Sequence, residues 1–148
     1  ETLLHTAARR SHLIDLIEPA RQDGKWVLCD RFADSTAAYQ GYGQGLELDF
    51  IAKLRSKIVG DAEPELTVLL DISVDQGLAR ASARGNIARY ERMDRSIHEK
   101  IRDGFLKIAA ENAHRVVVID ADQSMDAIEA EIRQHTITRF GLNLTLPK

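Results

Sequence analysis

Three short apolar runs each stop at an aspartate. They are Trp26-Val27-Leu28-Cys29 before Asp30, Leu66-Thr67-Val68-Leu69-Leu70 before Asp71, and Val116-Val117-Val118-Ile119 before Asp120. This repeated ending constrains the fold more than any other feature of the chain. Runs that are apolar at nearly every position, rather than at alternate ones, suit strands covered on both faces of a sheet. The segments between them are long enough for the crossover helices that parallel strands require. The expectation is an α/β architecture built on a parallel sheet. Ligands of open parallel sheets sit beyond the carboxyl ends of the strands. All three aspartates are therefore expected at the functional edge.

Helix signals fill the intervals. Residues 1–22 read as one helix, with Pro19 as a kink and Gly24 as its stop. Leu3, Leu4, Ala7 and Ala8 already follow helical spacing, with no cap before them. Asp49 is expected to cap a helix carrying Phe50, Leu54 and Ile58, which Gly60 ends. Ser73-Val74-Asp75-Gln76 and Ser96-Ile97-His98-Glu99 both have capping-box form. Ile97, Ile101, Phe105 and Ile108 make a stripe along the second of these helices, and Ser124 is expected to cap a last helix with Met125, Ile128 and Ile132 inward. No repeat or linker interrupts the 148 residues, so residues 1–148 read as one domain. A chain that opens inside a helix, and whose three strands make a narrow sheet, is expected to lack its true N-terminus.

Composition removes several function classes. A formal charge of −3 argues against a nucleic-acid binder that relies on overall charge. No segment approaches the roughly 20 apolar residues of a membrane-spanning helix. Cys29 stands alone, so no internal disulfide can form, and it reads as a buried thiol in a reducing, cytoplasmic setting.

The chemistry concentrates in DRFADSTAAYQGYGQG, residues 30–45. Asp30 at a strand end can hold Mg²⁺, directly or through water. Arg31 can grip a phosphate with two parallel hydrogen bonds. Asp34-Ser35-Thr36 reads as the start of a short helix whose amides and hydroxyls suit a polar ligand. Tyr39 follows Ser35 by one turn on the same face. A salt-bridged Asp-Arg pair in an ordinary loop is the plainer reading of the same residues. A second cluster, RASARGNIARYERMDR at residues 80–95, holds five arginines and two acids, a local excess of +3. Arginines at a helix break can close over phosphates, or form a solvated face with Glu91 and Asp94. His5 and Arg9, four apart on the first helix, could stack on and hydrogen-bond a base, or simply line a helix surface. The other histidines show no metal-ligand spacing.

Together these stretches resemble thymidylate kinase of the bacterial kind. The likeness runs through Leu3-Leu4-His5-Thr6-Ala7-Ala8-Arg9, then Asp30-Arg31-Phe32 to Ala38-Tyr39-Gln40-Gly41. It continues in Pro64-Glu65-Leu66-Thr67 to Asp71, the arginine segment ending Arg89-Tyr90-Glu91, and Val118-Ile119-Asp120-Ala121. It covers about residues 1–133, and the DR…AYQG stretch is its most specific part. The resemblance implies transfer of the ATP γ-phosphoryl to dTMP with Mg²⁺. It implies a P-loop NTPase-like, three-layer parallel sheet with flanking helices, N-terminally truncated here. It also implies a nucleoside monophosphate kinase domain with its lid at about residues 80–95, working as a homodimer.

Roles follow from the same resemblance. Arg31 would bind the dTMP phosphate, and Asp30 would organise metal and phosphates. Arg9 would hydrogen-bond the thymine carbonyl, with His5 in a position that is often phenylalanine in the family. Ser35 and Thr36 would line the base and phosphate pocket. Tyr39 would pack under the deoxyribose, with Gln40 close by. Arg80, Arg84 and Arg89 would form the lid over ATP, oriented by Glu91, with Arg84 and Arg89 reaching the transferring phosphoryl. Asp120, Ala121 and Asp122 would sit near the adenine. The family's GxxxxGK[ST] phosphate loop has no counterpart in these 148 residues. Little or no kinase activity is therefore expected of this chain by itself. Two other readings remain at this point: a deoxynucleoside kinase, and a non-catalytic nucleotide-binding or dimerisation module.

Overall fold

The structure, a computed structural model, describes residues 1–83, 85 and 93–143. Its chain divides into two units, residues 1–63 with 96–108, and residues 64–95 with 109–148.

The first unit opens with α1 (Thr2–His12), a widened π turn (Leu13–Ile17) and α2 (Glu18–Gln22) in unbroken succession. Pro19 explains the widening. It has no amide to donate, and its ring collides with the carbonyl four residues back, so the turn before it opens. Gly24 stops the helix at φ +69°, where a side chain would be strained. The inward face of this helix runs through Thr6, Leu13 and Ile17, all buried. Leu3 and Leu4, whose spacing announced the helix, lie off that face and are exposed.

The stretch Trp26–Cys29 corrects the first expected strand. It belongs to no strand, and Trp26 and Leu28 are exposed. A strand exists only where a neighbouring backbone exchanges ladder hydrogen bonds with it, and among the described residues the sheet holds two strands from the other unit. Beyond Asp30, α3 (Ala33–Thr36) runs directly into a second π turn (Ala37–Gly43). Next comes α4 (Leu48–Ile58), ending near Gly60 at φ +55°. Glu47, not Asp49, occupies the N-cap of α4, and Ile51 and Val59 turn inward while Phe50 is exposed.

The unit's core forms where the 37–43 turn meets α6 (Arg95–Glu111). Ala38, Ile101 and Ile108 are buried together, flanked by Tyr39, Tyr42, Ile97 and Phe105. The stripe expected on this helix is thus its packing face. The helix begins one residue before Ser96, so Ser96 sits in the first turn rather than at the cap.

In the second unit, β1 (Thr67–Asp71) and β2 (Val116–Asp120) pair in parallel, with Asp71 opposite Asp120. The two aspartates do share one edge, as the apolar runs predicted. Helix α5 (Val74–Ala83) starts at Ser73, whose hydroxyl bonds Gln76 Oε1 at 2.6 Å and accepts from the Gln76 amide at 3.4 Å. Helix α7 (Met125–Phe140) is capped by Ser124 Oγ, which accepts from the Ala127 amide at 3.2 Å. Ile119, Ala121 and Ile128 form the core, with Val68, Ile72 and Ile132 against it. Met125 points outward instead.

Gly104 of α6 exposes how tight the first core is: a Cβ there would lie 2.7 Å from the Cβ, Cγ and Cδ2 of Tyr42. Glycine-to-alanine in a helix ordinarily gains about 1 kcal/mol. The overlap with Tyr42 costs about 1–3 kcal/mol and wins. Gly104→Ala should therefore lower the urea midpoint with an unchanged slope, whereas a raised midpoint would show that Tyr42 moves aside freely.

Candidate functional site

The turn after Cys29 carries the densest chemistry of the first unit. Arg31 adopts φ +63°, a left-handed conformation unusual for a side chain with a Cβ. The Cys29 thiol donates to the Arg31 carbonyl at 3.4 Å. The Arg31 guanidinium lies over the Tyr39 ring, 5.0 Å from its centroid. Tyr39 is itself braced edge-on by Phe105 of α6, with centroids 6.0 Å apart and planes at 80°. A strained backbone, an aromatic platform and a helix from later in the chain together aim one exposed cation.

Arg9 reaches the same segment from α1. Its Nη2 donates to the Phe32 carbonyl and to Thr36 Oγ1, each at 3.0 Å, and its guanidinium stands 5.6 Å from the Phe32 ring centroid. Burial lowers its pKa, an effect that nearby Cys29 and Asp34 oppose and Arg55 reinforces. Arginine starts so high that the group stays charged at neutral pH. Both Nη2 protons are engaged, which leaves those on Nε and Nη1 for a ligand.

The resemblance assigned Arg9, Arg31, Thr36 and Tyr39 to one site, and the geometry brings these four together. Ser35 is half-buried, its amide donating to the Phe32 carbonyl at 3.2 Å. Gln40 is buried within the π turn. Such turns recur at functional sites because they set one side chain out of helical register. His5 lies one turn before Arg9 but is exposed, its Nε2 3.6 Å from the Glu1 carboxylate. Asp30 is exposed at the start of the turn.

Sequence reasoning missed what stands behind this segment. Asp34 is buried and pairs with Arg55 Nη1 at 2.7 Å, while Arg55 Nε and Nη2 grip both oxygens of Glu63 at 2.6 and 2.5 Å. Hydrogen bonding to Glu63 raises the Arg55 pKa far above its ordinary value; burial opposes this, and Asp34 assists. A signal existed: Ile51, Arg55, Ile58 and Val59 share the inward face of α4, and an arginine among apolar partners on a helix face demands acceptors. Phe32 was likewise read only as part of a motif, not as the ring and carbonyl that hold Arg9.

In the second unit the edge residues gather beyond the strands. Ala121 donates its amide to the Asp71 carbonyl at 2.7 Å, and the Asp122 amide donates to Asp120 Oδ1 at 2.8 Å. Arg80 Nη1 donates to the Ala121 carbonyl at 2.9 Å, with Nη2 3.6 Å from Asp122. Gln76 Nε2 donates to Asp122 Oδ2 at 2.6 Å. Arg80, Asp120, Ala121 and Asp122 are thus neighbours. Arg84, Arg89 and Glu91 lie outside the described residues.

Among the described residues no three histidine, cysteine or carboxylate side chains cluster to cage a metal. Mg²⁺ characteristically takes one or two carboxylates, phosphate oxygens and water, and an exposed Asp30 beside Arg31 fits that mode. No helix among these residues is long and apolar enough to cross a membrane.

Residues 1–132 match the family model described as thymidylate kinase. The thymidylate kinase of Caulobacter vibrioides is 46% identical over 142 residues, spanning 96% of this chain and 68% of that protein. That of Geobacter sulfurreducens is 43% identical over 145 residues, spanning 94% of this chain and 68% of its own. The crystal structure of thymidylate kinase from Ehrlichia chaffeensis superposes with a TM-score of 0.73 at 31% identity, covering 92% of this chain and 65% of that one. The chain thus spans about two thirds of the length of these relatives.

Cys29 gives this geometry a chemical reporter. The thiol is half-buried rather than buried, and its pKa is raised, chiefly by desolvation and secondarily by Asp30, with Arg9 opposing. A raised thiol pKa means less thiolate at a given pH, so alkylation by iodoacetamide at mildly alkaline pH should run several-fold slower than in the urea-unfolded chain. By linkage, folding stability should fall as pH rises through the thiol range, because the unfolded chain loses this proton first. Equal alkylation rates in both states would remove the desolvated thiol.

Proposed function

This chain belongs to the thymidylate kinase family, and we propose that it carries the acceptor site and lid of an enzyme that moves the ATP γ-phosphoryl to dTMP, giving dTDP. The observation supporting this reading is that two arginines meet at residues 31–39: Arg9, from α1, on Phe32 and Thr36, and Arg31, from within the segment, on Tyr39.

The chemistry divides between them. Arg31, exposed and braced by Tyr39, offers a fork that matches a phosphate dianion. Arg9, half-buried, presents its remaining protons to a thymine carbonyl where low dielectric strengthens the bond. Tyr39 gives the deoxyribose a flat partner, with Ser35, Thr36 and Gln40 closing the polar contacts and His5 stacking from the preceding turn of α1. Phosphoryl transfer needs little covalent help from protein. It is governed by positioning and by neutralising charge on the moving group. Asp30 would hold Mg²⁺, directly or through water, and the ion would supply part of that neutralisation when bound. In the second unit, Asp120, Ala121 and Asp122 adjoin the adenine of ATP. Arg80, Arg84 and Arg89, with Glu91, serve as the lid arginines. The protein works in the cytoplasm, paired with a second copy of itself.

A polypeptide of these 148 residues holds no GxxxxGK[ST] stretch, so its own part is acceptor binding rather than turnover. Titration calorimetry should show dTMP bound and thymidine bound far more weakly. Arg31→Ala should cost dTMP about 2 kcal/mol or more, the loss of a charge-assisted bond. Thymidine binding as well as dTMP would shift the reading to a deoxynucleoside kinase. A second measurement concerns catalysis: with ATP, Mg²⁺ and dTMP, this polypeptide should form no dTDP above the uncatalysed rate, and steady turnover would contradict its restriction to acceptor binding.

A further inference from the structure

The Asp34–Arg55–Glu63 network lies directly behind the residues assigned to dTMP, yet none of its three members has a place in that assignment. Arg55 projects from α4 into the narrow crevice that Thr6, Arg9, Ala33 and Thr36 also line. Two guanidinium groups therefore share one half-buried space, and the charge on Arg55 adds to the burial that lowers the Arg9 pKa. Asp34 acts on both: it pairs with Arg55 at 2.7 Å and attracts Arg9. Its position in the chain matters as much as its charge. It is the second residue of α3, two residues after Phe32 and two before Thr36. Phe32 O and Thr36 Oγ1 are the two acceptors that hold Arg9. Any movement of Asp34 carries both acceptors with it.

Glu63 makes the arrangement directional. By taking Nε and Nη2 of Arg55 in a two-point grip, it fixes the guanidinium plane and leaves Nη1 aimed at Asp34. Only a planar fork can serve three oxygens on two carboxylates in this way; an ammonium group of the same charge cannot. We propose that Arg55 is a positioning residue for the acceptor site. Locked by Glu63, it holds Asp34 and so the 32–36 segment in the setting that receives Arg9. The part concerning dTMP rests on the reading given above, whereas the hold on Arg9 does not.

The test follows Arg9 and dTMP separately in this chain. Nitrogen-15 NMR of the arginine side chains reports whether the Arg9 guanidinium is hindered, and calorimetry reports dTMP affinity. Arg55→Lys keeps the charge, and Glu63→Gln keeps the shape while removing one negative charge and the two-point grip on the fork, so a folded variant remains for measurement if Arg55→Met unfolds. Both mild variants should free the Arg9 guanidinium and weaken dTMP by about tenfold, while thermal melts show a folded chain. In an Arg9→Lys background the same changes should weaken dTMP by about twofold or less, because their effect runs through Arg9. Full retention of Arg9 hindrance in Arg55→Lys and Glu63→Gln would overturn the proposal, as would equal losses with and without Arg9. If Arg9 is freed while the parent chain binds no dTMP, the dTMP reading falls and the positioning of Arg9 by Arg55 stands.

Discussion

A guanidinium taken partly out of water must find acceptors for its protons or leave the interior. Arg55 and Arg9 both meet that demand, and the first unit is organised by how they do so. Arg55 uses Asp34 and Glu63; Arg9 uses the Phe32 carbonyl and Thr36. These bonds join α1, α3, α4 and the residues after α4. The polar bonds contribute direction more than raw stability. A half-buried ion pair gives back in attraction about what it loses in desolvation, but its geometry permits one arrangement of the loop between.

The same loop shows strain used for placement. Arg31 sits at φ +63°, where few side chains are found, and its guanidinium rests on Tyr39. Tyr39 in turn meets Phe105, and the adjacent Gly104 lets α6 approach Tyr42 at a distance no alanine would allow. An exposed cation, such as the one proposed here to meet a phosphate, gains little from being ordered unless its carrier is rigid. Here the rigidity comes from apolar packing between the π turn and α6, and the cation only rides on it. Within the second unit, the edge beyond β1 and β2 is built differently, from backbone and carboxylate bonds that fold Asp120, Ala121 and Asp122 onto Arg80.

Much of this was legible in the chain, for reasons particular to each element. Apolar runs at 66–70 and 116–119 gave parallel strands with their aspartates in register, because continuous burial leaves a continuous signature. Ser73 and Ser124 were found as caps, since a hydroxyl three residues before an unpaired amide is a local device. The run at 26–29 carries the same signature yet is no strand, because ladder pairing belongs to two segments and not to one. Met125 was read inward and is exposed, and Leu3, Leu4 and Phe50, placed on helices by their spacing, are exposed as well, since helical spacing sets a face's period but only packing sets its phase.

The sequence by itself determined the chemistry: which residues carry charge, which stretches are helical, and that an Asp-Arg pair precedes a glycine-rich turn. Those are local matters of backbone conformation and hydrogen-bonding capacity. Tertiary structure alone decided which cation meets which acceptor. Arg9 lies 27 residues from Thr36, and Arg55 lies 21 from Asp34. No local rule selects such partners. They are chosen when apolar faces pack and the buried guanidinium groups take whichever oxygens that packing brings within reach.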